Sequence, residues 1–227
     1  IMFFITSTTT TIRKIIVERI TPYVSSLKVD RLGNLIAKKG TGGSLVLSAH
    51  MDEVAFMVTG ILEDGTLRFS QVGGISPQNL PSKKVYFPKK ACFGVIGSKP
   101  IHLNKNNLEK ISYSDLYIDV GATTASEAKE VISLGDLAVF ATKTSIQVGK
   151  ESVFKGKAFD DRLGCFLLCK LIENADITDC TFLFSVQEET GLLGATEFAL
   201  NHSFDFAIAV DVTTPNDLPG ISGPKTV

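Results

Sequence analysis

Apolar and polar positions follow two different rhythms along this chain, and the places where the rhythm changes divide it. In residues 12–28, "IRKIIVERITPYVSSLK", the residues Ile12, Ile15, Ile16, Ile20 and Val24 fall at helical spacing, and Thr11 stands where a cap is needed. "VDRLGNLIAKKG" then predicts two short strands about a turn at Gly33-Asn34. A buried strand is expected from Leu45 to Ala49, followed at once by His50-Met51-Asp52. From about Gly60 to Gln147 short β-like runs alternate with turns: "GTLRFSQVGG", "KKVYFP", "ACFGVIGS", "LYIDVG" and "DLAVFAT". One helical piece in this block, "TASEAKEVIS", has either Thr124 or Ser126 as its cap. Longer elements then resume as helix "DDRLGCFLLCKLIENA", strand "TFLFSV", helix "TEFALNH" and strand "FAIAVDVT".

Strand–helix alternation on both sides of a β-rich block implies an α/β fold whose two halves are separated in sequence. The expected arrangement is a mixed sheet with helices on both faces, built from residues 1–60 and 148–227. A β-rich domain at 61–147 is inserted between them. A chain of 227 residues is long enough for one large domain or two small ones.

Composition narrows the function. There are 23 Lys and Arg against 24 Asp and Glu, so no basic excess points to nucleic acid. No apolar run is long enough to span a membrane. The apolar patch near the N-terminus precedes its positive charges, the reverse of a signal peptide. Cys92, Cys165, Cys169 and Cys180 form no CxxC pair and read as buried reduced thiols, which places the protein in the cytoplasm.

Chemistry gathers where the apolar strands end. "SLVLSA" runs into His50 and Asp52, "TFLFSV" into Glu188 and Glu189, and "FAIAV" into Asp211, while Asp160 and Asp161 open a helix. Ligands of open α/β sheets collect beyond the carboxyl ends of the strands. Taken singly these signals are weak: His-x-Asp is common in surface turns, Asp-Asp before a helix is commonly capping, and Glu-Glu is commonly a solvated face. Together they put one imidazole and many carboxylates at one rim, where the carboxylates repel unless a cation sits among them. Arg162 is one candidate partner; a divalent metal is the more economical one, since zinc, cobalt and manganese accept mixed imidazole and carboxylate ligands. One member of the Glu188-Glu189 pair is then a ligand and the other a general base on metal-bound water. His102 reads as a surface or partner-contact residue, His202 as the C-terminal end of a helix, and Lys157 as one half of a local ion pair.

The segments "VDRLGNLIAKK", "LSAHMDEVAFMV", "KGKAFDDRLGC", "SVQEETGLLGA" and "AVDVTTPND" occur in the order they have in the M42 family of metallo-aminopeptidases, which includes the TET-type, glutamyl and deblocking enzymes. From about Val29 to Asp217 the sequence resembles that family. The resemblance implies a zinc-exopeptidase-like α/β catalytic domain with a β-rich insert for dimerisation and assembly. It implies two divalent metal ions, with His50 and Asp211 on one, Glu189 on the other and Asp160 bridging them. Glu188 would be the general base and Asp52 would orient the His50 ring. The Asp160-Asp161 peptide is expected to be cis. The implied activity is removal of N-terminal residues from peptides, a metal-bridged water being the nucleophile, by a homo-oligomer ranging from dimer to dodecamer. In the family a histidine well downstream of the position of Asp211 completes the second metal site. This sequence ends before it and lacks the usual Gly-rich start, so the C-terminal part is expected to be missing. The alternative reading is a truncated, non-catalytic metal-binding or assembly relative. A third, a sugar hydrolase pairing Glu188 with Asp160, leaves His50-x-Asp52 unexplained.

Overall fold

A computed structural model describes residues 6–98, 111–143, 145–147, 153–214 and 220. His102 lies outside these residues. The first helix, α1, spans Thr6–Ile20. It therefore starts earlier and ends earlier than the apolar spacing predicts, and Thr11 lies inside it rather than capping it. Pro22 is the cause of the early stop: it has no N–H to continue the ladder and sits in a single 3-10 turn over Thr21–Tyr23. The residues beyond leave the helical period and form strand β1, Ser26–Val29.

β1 pairs antiparallel with β2, Leu35–Lys39, through a five-residue loop rather than a tight turn. Asp30 shapes that loop, its Oδ1 accepting from the amides of Leu32, Gly33 and Asn34 at 2.8–3.0 Å. β3, Leu45–His50, is the next strand of this sheet, and the remaining two come from the far end of the chain: β12, Cys180–Ser185, and β13, Phe206–Ala209. The order is β1-β2-β12-β3-β13, with β12, β3 and β13 parallel and β2 antiparallel to β12.

Alternate side chains of this sheet enter different layers, as the two-residue repeat of a strand requires. Leu35, Ala37, Leu47, Ala49, Phe182 and Phe184 pack with Ile16 and Ile20 of α1 and with Cys165, Leu168 and Ile172 of α3, Phe159–Glu173. Ile36, Val46 and Leu183 point the other way, onto Phe198 of α4, Leu193–Asn201. β12, covered on both faces, is buried along its whole length. The fold is thus a mixed α/β sheet with helices on both faces. Cys165, Cys169 and Cys180 are buried free thiols, and Cys92 is half-buried.

Between β3 and α3 the chain builds a closed barrel from β4 (Ala55–Ile61), β5 (Leu67–Val72), β6 (Lys84–Phe87), β7 (Cys92–Ser98), β8 (Leu116–Asp119) and β9 (Leu137–Phe140), in the order β4-β5-β8-β7-β6-β9. The barrel opens at Ala55, upstream of the residue near 61 where the sequence texture changes, because β4 itself reads as a continuation of the apolar run before it. Phe56, Leu67, Phe69, Val85, Phe87, Ile96, Leu116 and Ile118 fill its interior. The short helix α2, Ala125–Val131, is capped by Thr124, whose hydroxyl accepts from the Glu127 amide. A small hairpin, β10 (Ser145–Gln147) with β11 (Val153–Lys155), leads back to α3. Among the described residues no helix is long and apolar enough to cross a membrane.

Candidate metal centre

Three parallel strands end side by side. Ser185 of β12 stands opposite His50 of β3, and Ala209 of β13 opposite Ser48. The residues just beyond these strands must therefore emerge at one edge, which is why His50, Glu188 and Asp211 meet although far apart in sequence. α3 begins at the same edge. Its first turn is irregular: the Asp160-Asp161 peptide is cis and neither aspartate has helical dihedral angles.

The two aspartates do different work. Asp161 is fully buried; its Oδ1 accepts from the Gly164 amide as a helix cap would, and its Oδ2 accepts from the backbone amide of His50, both at 3.0 Å. Asp160 keeps 57% of its side chain exposed and presents Oδ1 to His50 Nε2 at 3.0 Å. Glu188 Oε2 and Asp211 Oδ1 face the same nitrogen at 3.7 and 3.9 Å. His50, Asp160 and Asp211 each offer one possible ligand atom, and these atoms all lie within 4.8 Å of one another. Glu189 is outside that group; its carboxylate lies toward Gly73 in the loop after β5.

Asp52 organises the rim from below. It is almost wholly buried, its Oδ1 accepts from the Glu188 amide and its Oδ2 from the Glu189 amide, each at 3.2 Å. Oδ1 also lies 3.5 Å from His50 Nδ1, an ion-pair distance; that buried nitrogen has no closer partner. In the neutral ring a proton on Nδ1 faces Asp52 and the Nε2 lone pair is directed at the three carboxylates.

Charge accounts for the titration of these groups. Burial opposes a charge on His50, but the carboxylates of Asp52, Glu188 and Asp161 outweigh it and push its pKa up to about 9. Burial raises Glu189 to about 7 and Asp161 to about 6, and raises Glu188 above its ordinary value. Among the described residues His50 is the cation paired with the carboxylates of Asp160, Glu188 and Asp211. Without its Nε2 proton the imidazole joins the converging carboxylate oxygens as an electron donor, and a divalent cation fits the place that proton otherwise takes among them.

Arg162 does not neutralise this rim. It donates to Glu53 Oε1 at 2.7 Å, and Lys157 donates to both oxygens of Glu53 at 2.8 Å. Glu53 itself is a buried acid that the sequence pattern does not single out, although it directly follows His50-x-Asp52. A second such residue is Asn34, buried in the turn of "DRLGN". Its Oδ1 accepts from the Val186 amide and its Nδ2 donates to Gly194 O, each at 2.9 Å, so it joins the two ends of the loop that carries Glu188 and Glu189. Gln187, with φ of 58°, turns the chain out of β12 into that loop. His202 lies at the end of α4, with Nδ1 2.9 Å from Phe198 O and its ring stacked on that phenylalanine.

The chain that builds this edge of the sheet is similar to known proteins. The family model described as M42 glutamyl aminopeptidase matches residues 33–226, and the chain belongs to that family. A relative from Acetivibrio thermocellus is 41% identical over 211 residues, 92% of this chain and 62% of the relative. Among solved structures, a TET aminopeptidase from a marine sediment archaeon of the Thaumarchaeota superposes with a TM-score of 0.86 at 33% identity, covering 93% of this chain and 62% of its own. The TET1 peptidase of Pyrococcus horikoshii, which can assemble into a tetrahedron or a large octahedral shell, gives 0.79 at 34% identity over 92% of this chain and 67% of its own. The chain spans about 54–62% of the length of the curated relatives it matches.

Proposed function

We propose that this chain carries the catalytic rim of a metal-dependent aminopeptidase that removes N-terminal residues from peptides. The observation that carries the reading is the convergence of Asp160, Glu188 and Asp211 on His50 Nε2, with Asp52 behind the other ring nitrogen. His50 and Asp211 would hold one divalent ion and Glu189 a second, with Asp160 between them. Zinc or cobalt suits the donor set best, and manganese is the alternative. When bound, the ions would polarise the scissile carbonyl and lower the pKa of the attacking water.

The protein's own groups supply the rest. Glu188 stands beside the ligands, and its pKa is raised by burial, so its carboxylate can take the proton of the attacking water and return it to the leaving amine. Asp52 holds the His50 ring in one tautomer. The excess of carboxylates at the rim would attract the positively charged amino terminus of a peptide, which favours an exopeptidase over an endopeptidase. Self-association is assigned by the same reading to the β4–β9 barrel, whose surface exposes Phe93 and Val95. The buried free thiols of Cys165, Cys169 and Cys180 fit a cytoplasmic location.

The test is turnover of aminoacyl amides by purified protein with Co²⁺ or Zn²⁺, beside N-acetylated peptides and oligosaccharides as controls. Glu188→Gln is expected to lower turnover by about 10²–10⁴ while metal stays bound. Near-normal turnover in that variant places the base elsewhere. Bound metal in a wild-type protein without turnover favours the non-catalytic relative, and cleavage of the oligosaccharide alone favours the glycosidase.

A further inference from the structure

Lys157 and Arg162 stand three residues before and two residues after Asp160. They are the cations that the chain places beside a carboxylate read here as a metal ligand. A lysine or arginine paired with Asp160 or Asp211 would hold an oxygen that the metal needs, and the metal would have to displace it. Neither cation does so. Both turn to Glu53, whose side chain is 5% exposed and whose two oxygens take three hydrogen bonds of 2.7–2.8 Å. Asp160 and Asp211, by contrast, keep more than half of their side chains exposed.

We propose that Glu53 is a positioning residue that sequesters Lys157 and Arg162, so that the carboxylates of Asp160 and Asp211 stay free for a divalent cation. The inference rests on the metal-site reading above. One negative and two positive charges leave the trio with a net charge of +1, so it still tempers the repulsion among the rim carboxylates without occupying a ligand atom. Arg162 is held mainly through Nη2; its Nε is buried and finds no partner, so Glu53 is what fixes the guanidinium. Without Glu53 both side chains lose this anchor and become free to compete for the exposed carboxylate of Asp160, near them in sequence. Glu53 also ties the residues on both sides of Asp160 to the strand end at His50, and a simple tether must be told apart from a sequestering acid.

Removing the cations together with the acid makes that distinction. Co²⁺ is titrated calorimetrically into metal-free wild type, Glu53→Gln, the triple variant Glu53→Gln/Lys157→Met/Arg162→Met, and His50→Ala, with circular dichroism and thermal melting on each. Glu53→Gln is expected to weaken Co²⁺ binding by about 10–100-fold, the range found when groups behind metal ligands are removed. The triple variant, with no freed cation left to compete, is expected to return to within about three-fold of wild type. Sequestration is overturned if the triple variant binds as weakly as Glu53→Gln, which is the behaviour of a tether, or if Glu53→Gln binds like wild type. Should Glu53→Gln not fold, the triple variant decides alone: affinity near wild type supports the proposal and a loss of about ten-fold or more overturns it. Failure of the site reading looks different, since wild type and His50→Ala would then bind Co²⁺ alike.

Discussion

Replacing Asn34 tests how the loop bearing the two glutamates is held. Its side chain is wholly buried and makes three hydrogen bonds: to Asp30 Oδ2 at 2.7 Å, to Gly194 O at 2.9 Å, and from the Val186 amide at 2.9 Å. Asn34→Ala removes all three and strands the Val186 N–H, which lies just past the end of β12. The orphaned buried donor costs about 1–3 kcal/mol and each of the other two lost bonds about 0.5–1.5 kcal/mol, so the total is about 2–6 kcal/mol. Asn34→Asp is the sharper variant. It keeps the shape but turns the donating nitrogen into a second acceptor, set against the Asp30 carboxylate and the Gly194 carbonyl. At neutral pH it should be at least as damaging as alanine, and it should recover as pH falls and the new acid becomes protonated. The assay is urea unfolding combined with hydrogen exchange at Val186, whose protection should vanish in Asn34→Ala. An aspartate variant within about 0.5 kcal/mol of wild type at pH 7, the spread of a neutral surface change, would refute the argument.

The pKa shifts make a pH prediction for the metal-free protein. Asp161 and Glu189 keep their protons in the folded state to about pH 6 and 7, whereas the unfolded chain loses them near 4, so stability should fall as pH rises through that window. His50 is charged in the folded state up to about pH 9; its contribution is complete below about 6.5 and is lost by 9, and a urea midpoint that rises with pH between 4 and 9 would contradict both. Gly73→Ala should loosen Glu189, because φ there is +89° and an added Cβ would lie 2.8 Å from Glu189 Oε2 and 2.9 Å from Val54 Cγ1. If Glu189 holds an ion as proposed, a calorimetric metal titration should show weaker binding in this variant, and an unchanged isotherm would show that the barrel loop does not support Glu189 in that role. Phe56→Ala should destabilise the barrel by about 3–5 kcal/mol, as for other buried aromatics, since its ring meets Phe69 and Phe140 edge-on at 5.4 and 5.1 Å; thermal melting measures it.

Local pattern determined a good deal of this protein. Apolar runs ending in His50, Glu188-Glu189 and Asp211 were legible because burial of a strand and its exit at a sheet edge are both written in consecutive residues. The β-rich texture of the block after β3 and the capped helix at Thr124 are local in the same sense. The boundary near residue 20 was not: Val24 satisfies a helical period, and only the pairing of β1 with β2 takes that segment into the sheet. Partner choice was not legible either. Nothing in "DD" says that Asp161 turns inward to the His50 amide while Asp160 turns outward to Nε2. Lys157 and Arg162 lie beside two aspartates in sequence yet bond to Glu53, more than 100 positions away. Asn34 likewise reaches across 152 positions to the Val186 amide. Such contacts arise from sheet register, which sets one strand end against another. A buried polar group then takes the partner that register delivers, because leaving it without one costs more than any local preference is worth.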